Sequence, residues 1–277
     1  MFLIELLNIF LPVVYVLTIS IYGICFFSKK GTDSSSLYSY RRVLLVSLIL
    51  LQAVYFIVRS LHFGHPPITT IFEIFTLLSF SITLSYLYIE FKTNVRDTGF
   101  FILLIAGILQ IISSIFIEEL KEINPVLKNW LLGFHVTSAM IGYSAITVSG
   151  IYGFLYILLY NQIKENRFGS VYKRLPSLHL LEQLAFSAIT FGFIFLTLTI
   201  IIGVVWLPRA IKDFSYFDPK LITTLIIWLL YTLGFLSRKL GNFKSKTIMT
   251  LAFGGFIFTI ISITVVNVFL SSFHKFY

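Results

Sequence analysis

Two histidines far apart in the chain, His135 and His274, are the residues here whose type and setting could do chemistry. A neutral imidazole binds iron, and a haem iron takes two axial ligands from opposite faces. Between them lies GVVWLPRAIKDFSYFDPKLITTLIIW, from Gly203 to Trp228. In it two apolar runs flank a short segment with Trp206, Phe214, Tyr216, Phe217 and Asp218, and Pro219 opens the second run. A shelf of flat rings at a membrane surface suits a flat, apolar ligand with charged edges, such as a porphyrin. Arg209, Lys212, Lys220 and Arg59 are the cations that its propionates would need.

Each of these residues also has a plainer reading. An interfacial histidine is amphipathic and needs no ligand. Trp and Tyr gather at membrane interfaces as belts, and a chain with 30 Phe and 15 Tyr will cluster some of them. Asp218 before Pro219 is what an N-cap followed by a helix-starting proline looks like. For any single cation, Arg59 included, headgroup contact is the ordinary expectation.

The elements that must hold these residues follow from composition. The 277-residue chain is 57% hydrophobic and 12% charged, and its mean hydropathy is +0.93. A soluble domain carries roughly 25% charge, so this chain belongs in a membrane. A span needs ~20 apolar residues. Eight runs qualify or nearly so: about 3–27, 43–61, 68–89, 99–117, 129–160, 179–205, 221–237 and 247–270. The expectation is an all-α polytopic integral membrane protein, a single membrane domain over 1–277 with eight transmembrane helices. The aromatic segment then lies outside, between helices 6 and 7.

Gaps on one side hold Lys29, Lys30, Arg41 and Arg42; Lys92 and Arg96; Lys164, Arg167, Lys173 and Arg174; and Arg238, Lys239, Lys244 and Lys246. Those are fourteen of the 21 basic residues. The positive-inside rule makes that side cytoplasmic and puts both termini outside, with the bacterial cytoplasmic membrane as the expected location. The net charge of +9 comes with no basic tract or nucleic-acid motif, so no nucleic-acid partner is expected. At 1.5 Å per residue the fifth run would be roughly 48 Å long, against a hydrocarbon core of ~30 Å. Measured from its inner end, His135 falls at the outer mouth. The same arithmetic puts His274 about one turn outside.

Elsewhere, Thr70 and Glu73 have capping-box spacing at the start of the third run, which gives Glu73 a structural role ahead of any ligand. Cys25 is the single cysteine and excludes an intrachain disulfide or a CxxC motif. The apolar N-terminus has no basic n-region or small-residue cleavage site and reads as a retained span. His62 and His65 are outer loop residues, and His179 starts the sixth run on the inner side. No Ser-His-Asp arrangement, phosphate loop or metal cluster is visible, so no catalytic residue is assigned. Spans with almost no charge argue against an ion-coupled transporter.

WLLGFHVTSAMIGYSAITVSG (Trp130–Gly150), Gly203–Trp228 and NVFLSSFHKFY (Asn267–Tyr277) resemble, in that order, the cytochrome c assembly family of the CcsA/ResC type, which includes HemX-like proteins. HPPITTIFEIFTLLSFSITLSY (His65–Tyr86) is similar to the family's third segment. The resemblance runs from about residue 60 to the end. It implies a haem-handling protein whose tryptophan-rich external segment is flanked by two external histidines, at the positions of His135 and His274. Haem would be presented outside for attachment to apocytochrome c, with help from a CcsB/ResB-type membrane partner. The family's tryptophan positions here hold Ile211, Ser215 and Phe217. Its glycine is Lys212, and the glutamate after the lysine is Leu221. A membrane histidine of the third segment is replaced near Tyr86. Gly203, Trp206, Asp218, Pro219, Lys220 and Trp228 are kept. This pattern is that of a divergent member, and it leaves open a HemX-like regulator of tetrapyrrole synthesis that ligates no haem.

Overall fold

The computed structural model describes residues 2–28, 35–117, 129–210, 214–241 and 243–262. Within them the chain is helical, with no strand. The helices are α1 (Phe2–Phe27), α2 (Ser35–Phe63), α3 (Ile71–Thr93), α4 (Gly99–Phe116), α5 (Trp130–Lys164), the five-residue α6 (Ser170–Arg174), α7 (Leu178–Ala210), α8 (Pro219–Leu240) and α9 (Ser245–Ile261). Seven of them carry a stretch long and apolar enough to cross a membrane: α1 to α5, α7 and α8. α9 is apolar but shorter, at 17 described residues. The eighth expected span, 247–270, thus runs beyond the described residues. The expected run boundaries match the helices closely because long apolar runs leave the backbone no other way to satisfy its hydrogen bonds in lipid.

The chain divides into two compact units. The first comprises Met1–Ile123 and Phe168–Pro176, and the second Asn124–Arg167 and Ser177–Tyr277. In the first, α1 to α4 surround a polar spine. Tyr15 donates to Gln52 at 2.9 Å, Gln52 to Gln110 at 3.0 Å, and Gln110 to Ser114 at 3.0 Å. Ser79 and Thr83 join at the Tyr15 hydroxyl. Tyr15, Gln52, Ser79, Thr83 and Gln110 are all fully buried. Helices in lipid gain little from apolar contact with one another, so interhelical hydrogen bonds and close packing hold them.

The start of α3 bears out the capping box. Thr70 accepts from the Glu73 amide, and the Glu73 carboxylate returns to the Thr70 N–H. Glu73 also accepts from the Thr69 amide and hydroxyl, both at 2.7 Å, and from Arg59 Nε at 2.8 Å. This corrects the expectation for Arg59. It is not a headgroup or propionate cation but a buried member of an ion pair. The reason is a carboxylate one helix away that only the folded chain reveals. Tyr86 is buried too, with its hydroxyl donating to the Arg96 carbonyl at 3.2 Å.

In the second unit α5 is the central helix, buried over 72% of its most apolar stretch, and it packs along α7 and α9. Glycine permits the closest approach. A Cβ on Gly153 would stand 2.7 Å from the Met249 carbonyl oxygen of α9. α8 is tied to α7 by the Trp228 indole N–H, which donates to Thr197 at 2.7 Å.

Candidate functional site

His135 lies in the second turn of α5, which Asn129 caps by accepting from the Leu131 amide. Its ring is half-buried. The Nδ1 atom is 3.1 Å from the Thr199 carbonyl of α7. A carbonyl only accepts, so Nδ1 carries the proton and Nε2 keeps its lone pair. The geometry has a local cause. A helical carbonyl points at the residue four positions on, and four after Thr199 is Gly203. Without a side chain there, the imidazole can reach the Thr199 carbonyl. A Cβ on Gly203 would stand 3.1 Å from His135 Cε1. Ser138 completes the arrangement, donating to the His135 carbonyl at 2.9 Å and sharing a 2.9 Å hydrogen bond with the Thr199 hydroxyl.

Sequence reasoning did not single out Thr199 or Ser138. The available signal was spacing: His-x-x-Ser on one apolar helix and Thr-x-x-x-Gly on another.

The aromatic segment begins where α7 ends. Trp206 is half-buried and Arg209 exposed in the last turns of α7. Phe214 and Tyr216 form an edge-to-face pair, with centroids 4.8 Å apart and planes at 86°. Tyr216 is 57% and Phe217 84% exposed. The segment therefore offers perpendicular rings rather than parallel plates. Asp218 caps α8, accepting from the Lys220 amide at 2.8 Å with Pro219 at the helix start. It is buried, at 2% exposure. The structure thus brings His135, Ser138, Thr199 and Gly203 together, and one link from α5 to α8 is the 3.5 Å hydrogen bond between Tyr143 and Thr224. His274 and Lys212 lie outside the described residues.

Two other histidines have bonds of their own. His65, in the first unit, is buried and bonds the Pro66 carbonyl. His179 sits at the opposite end of α7 from Gly203 and bonds Gln183 at 2.9 Å. Among the described residues, no group of three or more His, Cys, Asp or Glu side chains could hold a bare metal ion. A porphyrin iron asks less of the protein, one donor on each face. His135, with its proton fixed on Nδ1 by a backbone carbonyl and its Nε2 lone pair kept, fits that role.

The cytochrome c assembly protein model matches residues 68–274. The chain belongs to that family. It is 30% identical to the HemX protein of Brevibacillus brevis over 198 residues, covering 70% of this chain and 72% of that protein. It is 28% identical to the cytochrome c biogenesis protein CcsA of Prochlorococcus marinus over 270 residues, covering 87% and 84%. It is 26% identical to CcsA of Guillardia theta over 219 residues, covering 72% of each. Family membership and seven spanning-length apolar helices make it an integral membrane protein.

Proposed function

We propose that this protein binds haem at the outer face of a bacterial cytoplasmic membrane and positions it for cytochrome c biogenesis of the system II type. His135 and His274 are the axial ligands in this reading. Trp206, Phe214, Tyr216 and Phe217 lie against the porphyrin, Arg209 and Lys220 meet its propionates, and Asp218 braces the segment through the α8 cap. An eighth span ending near residue 270 puts both termini and the aromatic segment outside. A CcsB/ResB-type membrane protein and apocytochrome c are the partners. When bound, haem supplies the iron and the vinyl groups; the chain's residues hold and orient it.

The observation that carries this reading is the imidazole of His135. A hydrogen bond from Nδ1 to a backbone carbonyl is how proteins commonly fix the ring and raise the basicity of the ligating nitrogen. Here that bond is paired with a glycine that makes room for the ring. The test is an absorption spectrum of detergent-purified protein, oxidised and reduced, beside His135→Ala and His274→Ala. Low-spin bands that weaken in both variants support the reading. A haem content unchanged in the double variant overturns it.

A second reading has its own support. The tryptophan positions of the external segment hold Ile211, Ser215 and Phe217, and the HemX protein of Brevibacillus brevis is 30% identical. The same fold would then regulate tetrapyrrole synthesis without ligating haem. Deletion separates the two. Assembly predicts loss of c-type cytochromes; regulation predicts altered haem precursors with c-type cytochromes still made.

A further inference from the structure

A second polar site stands at the end of the first unit where α2 begins and α3 ends. Glu90 is fully buried there, at 0% side-chain exposure. The Tyr22 hydroxyl donates to its Oε2 at 2.6 Å. Its Oε1 faces Arg42 Nε at 3.3 Å and Arg96 Nε at 3.5 Å. Arg42 is steadied further by Asn94, at 3.2 Å, and by the ring of Phe91. Arg41 is buried beside Tyr22, 4.0 Å from Asp97. Among the described residues these three guanidiniums meet the carboxylates of Glu90 and Asp97, and Arg42 and Arg96 remain 28% and 30% exposed.

We propose that Arg42 and Arg96 form a headgroup site for an anionic glycerophospholipid. Glu90 is the post that sets the two guanidiniums side by side, which spares a ligand the entropy of ordering them. Guanidinium forks match phosphate oxygens, and Arg42 and Arg96 each keep part of theirs exposed beside Glu90. The surroundings select a lipid over free phosphate. Phe91, whose ring lies 4.7 Å from the Arg42 guanidinium, is 52% exposed, and Tyr40, Val43 and Tyr88 at the same helix ends are 59%, 60% and 55% exposed, which offers apolar surface for acyl chains. Basic pockets between helices at a membrane boundary bind anionic headgroups for these reasons.

The test uses the full chain in nanodiscs of phosphatidylcholine alone or with phosphatidylglycerol, read by native mass spectrometry and by amide exchange across 93–98. The expectation is one retained phosphatidylglycerol and slower exchange in that loop when the anionic lipid is present. Arg42→Gln with Arg96→Gln should weaken retention on the order of tenfold or more. Lys164→Gln with Arg167→Gln, exposed cations of the other unit, should leave it unchanged. Equal retention in both double variants overturns the site. So does exchange in the unsubstituted protein that ignores the lipid. Displacement of the lipid by millimolar inorganic phosphate would overturn the lipid assignment in favour of a phosphate site.

Discussion

Removing the Glu73 carboxylate should cost more stability than any other single change at the start of α3. Both partners of the Arg59–Glu73 pair are nearly inaccessible, at 5% and 2% side-chain exposure, and the contact is 2.8 Å. Glu73→Ala strands a buried guanidinium and leaves the Thr69 and Thr70 amides without their acceptor. Breaking a buried pair from one side costs about 3–5 kcal/mol. Each kcal/mol lowers the midpoint by roughly 2–4 °C in proteins of 150–250 residues, so a fall on the order of 10 °C is expected. Fluorescence-detected size-exclusion after heating in detergent would read it. Glu73→Gln keeps a side-chain acceptor but no charge and should fall between. Arg59→Met with Glu73→Leu removes both charges and should recover much of the loss, because well-packed apolar replacements of buried pairs are often neutral. If Glu73→Ala melts within a degree or two of the unsubstituted protein, the pair is not the buried anchor described. If the double variant is the sum of its singles, the stranded charge was not the cause of the loss.

Gly203→Val should displace the His135 ring, since even a Cβ would stand 3.1 Å from Cε1. On the haem reading, it lowers haem content in purified protein while leaving the far-ultraviolet circular dichroism intact. Asp218→Ala removes the α8 cap and should cost about 0.5–2 kcal/mol, seen as faster amide exchange at 220–222. Gln52→Leu leaves both the Tyr15 hydroxyl and the Gln110 carboxamide short of a partner and should destabilise the first unit by about 1–3 kcal/mol. The Gln52→Leu, Gln110→Leu pair should cost less than the sum of the singles in the same heating assay.

What the sequence made legible was whatever sits within a few residues of its own cause. The spans could be read because apolar length alone dictates a helix in lipid. Thr70 with Glu73, and Asp218 with Pro219, could be read because a cap is satisfied within one turn. The spine of Tyr15, Gln52, Ser79, Thr83 and Gln110 could not. They come from four separate apolar runs, and they take on meaning only when α1 to α4 align. Glu90 falls just past the expected third run, where nothing local marks it, yet it is the fully buried hub for Arg42, Arg96 and Tyr22. At the candidate haem site the same division holds. Depth along α5 and the resemblance to the family marked His135. The proton on Nδ1 depends on a carbonyl 64 residues away, reachable because residue 203 has no side chain. A histidine placed by topology is one amphipathic residue among several. Held by a backbone carbonyl, with Nε2 left basic, it becomes a ligand candidate that differs from His179 at the far end of α7, whose ring meets the Gln183 carboxamide instead.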